Sequence, residues 1–137
     1  MKTIWNKIFI VFLPTLLILV PAGRAQNTKQ QYADTLTKLR SATPEKRAQM
    51  LTDMMKTKLA LNDAQVRQVS AINLAYALKM EPIIKSDDSK FSKYCKVRPL
   101  LAEKDEKLKG AMTADQFAKY QDIKQQMMDQ AKKTMNI

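Results

Sequence analysis

LNDAQV at residues 61–66 and MTADQF at residues 112–117 are built alike: a bulky apolar residue, a side chain able to cap a helix, two small or acidic residues, a glutamine and a second apolar residue. The first N–H groups of a helix have no partner inside it. An oxygen-bearing N-cap side chain and a Gln three positions on satisfy two of them reciprocally. Asn62 with Gln65, and Thr113 with Gln116, have that spacing. Leu61 with Val66, and Met112 with Phe117, are placed as the apolar staples that fix the chain's entry into a helix. Each stretch therefore predicts a sharply started helix and a scaffolding role for its four named residues.

Working outward, the rest of the chain divides into helices. Beyond Ala25 there is one glycine, Gly110, and little alternation of apolar and polar residues, so strands are not expected. A weakly patterned helix is predicted over about 28–40. A second starts at Thr43, a cap, followed by Pro44 at the first helical position, and runs to about Leu59. The third runs from the first motif to about Ile84. After the turn Ser86-Asp87-Asp88-Ser89 a fourth covers about 90–109, with Gly110 placed to end it, and the second motif starts a fifth over about 114–133.

At 100° per residue, Val66, Val69, Ile72, Tyr76, Met80, Ile83 and Ile84 share one stripe of the third helix. Phe91, Tyr94, Val97, Leu101 and Leu108 form a stripe on the fourth, and Phe117, Tyr120, Ile123, Met127, Ala131 and Met135 one on the fifth. These stripes pack on one another, with the third and fourth helices as antiparallel neighbours. Pro82 and Pro99 are expected to bend or loosen their helices. The expected fold is all-α, a small antiparallel helical hairpin or bundle assembled as an elongated, curved dimer. Apolar residues are left over: Leu74 and Leu78 lie off the third stripe, and Met50, Leu51, Met54, Met55 and Leu59 spread over half the second helix, with Arg47 and Lys58 in the same arc. A dimer or a partner would cover them.

The start of the chain reads as a secretory leader. Lys2 and Lys7 precede an apolar run of 13 residues, Ile8 to Val20, with Gly23 and Ala25 suitably placed for cleavage before Gln26. The run falls short of the roughly 20 residues that span a bilayer and contains Pro14. An exported, periplasmic protein without stable membrane insertion is expected, with 1–25 the leader, 26–43 a flanking helix or linker and 44–137 the helical domain. Removing Lys2, Lys7 and Arg24 from the 24 basic residues leaves 21 against 13 acidic ones, a net +8. For an exported protein this favours acidic polypeptides or anionic envelope components as partners over nucleic acid. In the most basic segment, Glu103 with Lys107 and Asp105 with Lys109 have the spacing of solvated i,i+4 pairs.

Chemistry is poorly provided for. The chain has no histidine and one cysteine, so neither an ordinary catalytic triad nor an N- or S-rich metal site is expected, and there is no Gly-rich phosphate loop. Met-only copper(I) binding is the remaining metal chemistry, but Met54 with Met55 and Met127 with Met128 are adjacent pairs whose side chains diverge. Asp87 and Asp88, between serines, read as turn formers. Cys95, near Tyr94 and the apolar stripe, is expected to be buried or half-buried, the alternative being an intermolecular disulfide. No enzyme activity, cofactor or metal is predicted.

Two copies of an L-T-x-x-Q-like motif, LNDAQ and MTADQ, in a short, basic, Met-rich chain with a leader resemble the Spy/CpxP-like (LTxxQ) family of bacterial periplasmic proteins over about residues 45–133. Asn62 stands for the motif Thr and Met112 for the motif Leu. The resemblance implies a helical hairpin forming an antiparallel, cradle-shaped homodimer that holds unfolded or aggregation-prone proteins without ATP during envelope stress. On that reading Arg47, Lys56, Lys58 and Arg67 would speed encounter with clients. Met50, Met54, Met55, Leu74 and Leu78 would hold their exposed apolar segments. The second reading is a regulatory partner of a membrane stress sensor or signalling protein, and the third a structural module with no client.

Overall fold

The structure, a computed structural model, describes residues 23–135 and is all-α there. Five helices follow one another: α1 (Gly23–Ser41), α2 (Pro44–Leu59), α3 (Asp63–Lys85), α4 (Lys90–Ala111) and α5 (Ala114–Met135). The leader reading falls on residues 1–22, outside the described residues, except that Gly23 to Ala25 open α1. No helix among the described residues is long and apolar enough to cross a membrane.

Local chemistry explains where the helices begin. Thr43 accepts from the Lys46 N–H at 3.3 Å and Pro44 occupies the first turn of α2. Ser89 accepts from the Ser92 N–H at 3.2 Å at the start of α4. Both capping boxes form. Asn62 and Gln65 exchange bonds of 2.9 and 3.1 Å, and Thr113 and Gln116 bonds of 3.3 and 3.0 Å. The turn between α3 and α4 is held by Asp88, which accepts from the Ser86 hydroxyl at 2.8 Å and the Lys96 ammonium at 2.7 Å. Those bonds, Lys96 first, hold the Asp88 carboxyl below its ordinary range.

Helix ends depart from expectation at two places: α1 starts at Gly23, about five residues earlier than its pattern predicts, and α4 ends differently. Gly110 does not end α4 in a left-handed conformation: it lies inside the helix, and the only positive φ among the described residues belongs to Ala60, at φ 50°, after α2. The Ala60 turn is closed by the Leu61 N–H donating to Lys56 O at 3.2 Å. Gly110 is exposed, and a Cβ there would meet nothing within 4 Å. Gly110→Ala should therefore raise stability by about 0.5–1 kcal/mol, through a stiffer unfolded chain and better helix propensity, read as a higher urea midpoint.

In packing, α3 lies against both α2 and α4, while α5 contacts α2 and α4 and carries α1. The helix expected as a flanking segment thus covers part of the bundle. The core gathers around the two motif turns and contains Met55, Leu59, Leu61, Val69, Leu108, Ala111 and Tyr120, with the staple residues Val66, Met112 and Phe117 packed against it. The motifs also meet each other. Gln65 donates to Gln116 Oε1 at 2.7 Å, Gln116 donates back to Gln65 Oε1 at 3.2 Å, and Gln116 donates to the Leu59 carbonyl at 3.2 Å. One glutamine side chain therefore serves the start of α5, the end of α2 and the partner motif at once. The repeat in the sequence is a pair of turns clasped side by side.

Two polar features cross from α2 to α3. Arg47 is buried, donates to Ala42 O at 2.9 Å and pairs with Glu81, which also holds Lys85 at 2.8 Å. Deeper in, Asn73 donates to the Thr52 hydroxyl at 2.9 Å and touches Met55 sulfur at 3.6 Å, while its Oδ1 has no partner. Thr52 in turn donates to Ala48 O at 2.8 Å. Asn73 falls four residues after Val69 on the buried side of α3, a place the apolar stripe assigns to a hydrocarbon. The helices run on through Pro82 and Pro99.

Candidate functional site

The residues expected to meet clients do not form one patch. Arg47 and Met55 leave the set, because both are buried: Arg47 is held by Glu81 and the Ala42 carbonyl, and Met55 is part of the core at 2% exposure. Met50 and Met54 are half-buried, both lining a groove between α1 and α2. Much of the wide apolar arc of α2 is thereby accounted for within one chain. Lys56 and Lys58 are exposed on α2, and Arg67 on α3.

Leu74 and Leu78 stand apart from the core, at 37% and 49% exposure. Arg67, Leu74, Leu78 and Lys85 follow one another at spacings of seven, four and seven residues, which on an α-helix is one line along the axis. All four are exposed, so α3 carries to solvent a narrow apolar strip with a cation at each end. Ile84 and Phe91, assigned by periodicity to buried stripes, are exposed as well, Phe91 at 63%. They flank the Ser86–Ser89 turn that joins α3 to α4. Cys95, expected at least half-buried, is exposed and unpaired.

The charged segment of α4 is not the solvated strip of i,i+4 pairs that its spacing predicts. Glu103 pairs with Lys79 of α3 at 3.0 Å, and Lys79 lies 4.6 Å from the centre of the Tyr76 ring. Asp105 accepts from the Tyr120 hydroxyl at 2.8 Å and pairs with Lys124, both on α5. Asp105 and Lys124 sit in a half-dry seam, where a charge pair is worth more than on an open helix face, while the Glu103–Lys79 pair stays about half exposed. Lys104, between them, is buried at 7% exposure and has no hydrogen bond or ion pair among the described residues. Burial pulls its pKa down to about 8, with Asp105 opposing and Lys124 reinforcing. The signal that would have found it is its register: Lys104 is three residues after Leu101 and four before Leu108, in the middle of the apolar stripe.

Among the described residues no group of three or more His, Cys, Asp and Glu side chains is arranged to hold a metal ion. The arrangement offers binding surfaces: the outer strip of α3 and an apolar cleft that Lys104 lines.

No curated protein and no solved structure matches the chain. The model of a family described as a domain of unknown function (DUF4890) matches residues 25–120, a span that holds α2 to α4, both capping boxes and the glutamine pair. The chain belongs to the DUF4890 family.

Proposed function

We propose that this protein is an ATP-independent periplasmic chaperone, of the kind the Spy/CpxP-like resemblance implies, working as a homodimer on unfolded or aggregation-prone envelope proteins. The observation that carries the reading is the outward strip of α3, in which Leu74 and Leu78 stay in water between Arg67 and Lys85. A helix whose apolar side chains serve only its own core has no use for two exposed leucines four residues apart on its far face. Short apolar contact of this size gives weak holding, and weak holding lets a client leave without nucleotide hydrolysis. The net positive charge raises the encounter rate with acidic, unfolded chains, an effect that salt suppresses beyond about 8 Å at 0.15 M.

The test is suppression of aggregation. Leu74→Ser with Leu78→Ser should leave the thermal melt within about 1 kcal/mol of the parent, because both sites are exposed, and should remove most of the protein's ability to lower light scattering by two or three unrelated clients in low salt. The reading fails if the unaltered protein, at several-fold excess, leaves the scattering of every client unchanged.

A further inference from the structure

A cleft of about 220 Å³ lies among α1, α2, α4 and α5, walled by Leu36, Leu51, Met54, Leu101, Ile123 and Met127. For scale, an apolar cavity of roughly 150 Å³ is enough to hold benzene. Methionine side chains in its wall adapt to an occupant's shape, being unbranched and polarizable. Two charged side chains also line it, Lys104 and Lys124. Lys124 is committed to Asp105, and the other Asp105 oxygen is taken by the Tyr120 hydroxyl. Lys104 has no such partner among the described residues. It is more than nine-tenths buried, and the charged groups facing it are Asp105 on its own helix and Lys124 from α5, so the cleft retains one uncompensated positive charge.

We propose that this cleft binds a medium-chain amphiphilic carboxylate, with the alkyl tail among the leucine, isoleucine and methionine side chains and the carboxylate on the Lys104 ammonium. The chemistry on both sides requires that combination. A neutral hydrocarbon would bury the ammonium further with nothing to offset its charge, and a compact hydrophilic anion would leave the apolar walls unfilled. A single carboxylate supplies one negative charge to one unpaired positive charge, with a charge-assisted hydrogen bond in a half-dry site. The site is independent of the outer strip of α3.

The probes are decanoate and decanol, which share a tail length and differ in the head group. Purified protein with 13C-labelled methionine methyls is titrated with each below its micellar or solubility limit, the Met54, Met127 and Met128 signals reporting from the cleft. At pH 7 decanoate should shift these signals saturably and bind at least about tenfold tighter than decanol, the discrimination expected of a charge-assisted hydrogen bond. Lys104→Met, close in shape and without charge, should abolish that preference while keeping decanol binding. Raising the pH from 7 to 10, through the Lys104 value of about 8, should weaken decanoate and leave decanol unchanged. The proposal is overturned if decanoate leaves the methionine signals unmoved, if the two probes bind equally, or if Lys104→Met retains the preference. The comparison of probes on unaltered protein needs no variant to fold.

Discussion

Gln116→Ala is expected to lower the stability of the fold by about 2–3 kcal/mol, more than the loss of an ordinary helix cap. Four groups lose a partner in that one change: the Thr113 N–H, the Leu59 carbonyl, the Gln65 amide and, at 3.5 Å, the exposed Ala60 carbonyl. Each net hydrogen bond is worth about 1 kcal/mol, and a group left unsatisfied near the core costs more than one that water can reach. Asn62→Ala, which removes a cap without touching the pairing on Gln116, should cost about 1 kcal/mol. Urea denaturation of both variants gives the comparison. A double-mutant cycle between Gln65 and Gln116 should return a coupling above about 0.5 kcal/mol, as contacting residues do. Equal losses for Gln116→Ala and Asn62→Ala, with no coupling in the cycle, would contradict the clasp.

Glu81→Ala should be costlier still, about 3 kcal/mol, because it strands a buried guanidinium. Among the described residues Arg47 would keep only the Ala42 carbonyl, with its side chain 10% exposed and no other acid paired with it. Breaking a buried ion pair from one side is worth roughly 3–5 kcal/mol, and the 17% exposure of the Glu81 side chain places this pair at the lower end. The same physics predicts a rescue. Arg47→Met combined with Glu81→Leu removes both charges together and should return most of the lost stability. Should the double variant prove as unstable as Glu81→Ala, the loss would come from packing and not from the uncompensated charge. Chemical denaturation at pH 7 separates the two.

The starts of helices were legible in the sequence because a cap is satisfied within four residues of itself. Thr43 before Pro44, Asn62 and Thr113 each cap the helix that follows them; Ser89, which the sequence marks only as part of a turn, caps α4 as well. The apolar stripes were legible where a helix has neighbours along its length: Val69, Tyr76, Leu108 and Tyr120 are buried. The same rule fails for Ile84 and Phe91, since periodicity shows which face is apolar but not where a neighbouring helix stops covering it. Charged and polar residues were misread for a different reason. Arg47 and Asp105 are placed by partners on other helices, 34 and 19 residues away; Asn73, to which the apolar pattern assigns no role, is placed by Thr52 at a distance of 21. No local pattern encodes those distances. Gln65 and Gln116 were each recognisable as cap residues, while their mutual pairing was not, being a property of how two turns are brought together. Of the residues expected to face clients, Leu74 and Leu78 are exposed and Arg47 and Met55 are inside. An arginine or methionine in a mixed arc reads the same from its spacing in either place.

Asn73 bears on how α2 and α3 choose their alignment. Apolar stripes are nearly self-similar from one turn to the next, so hydrocarbon contact alone accepts an axial slide of about 5.4 Å with little change. An amide in the dry seam does not. Its donated bonds, to the Thr52 hydroxyl and the Met55 sulfur, exist at a single offset of the two helices, and at any neighbouring offset the amide would face hydrocarbon. Its unpartnered oxygen already costs some stability in the native pairing. In exchange the hairpin behaves like a keyed joint, in which the misaligned assemblies a methionine- and leucine-rich chain would otherwise sample are separated from the native one by an energy gap.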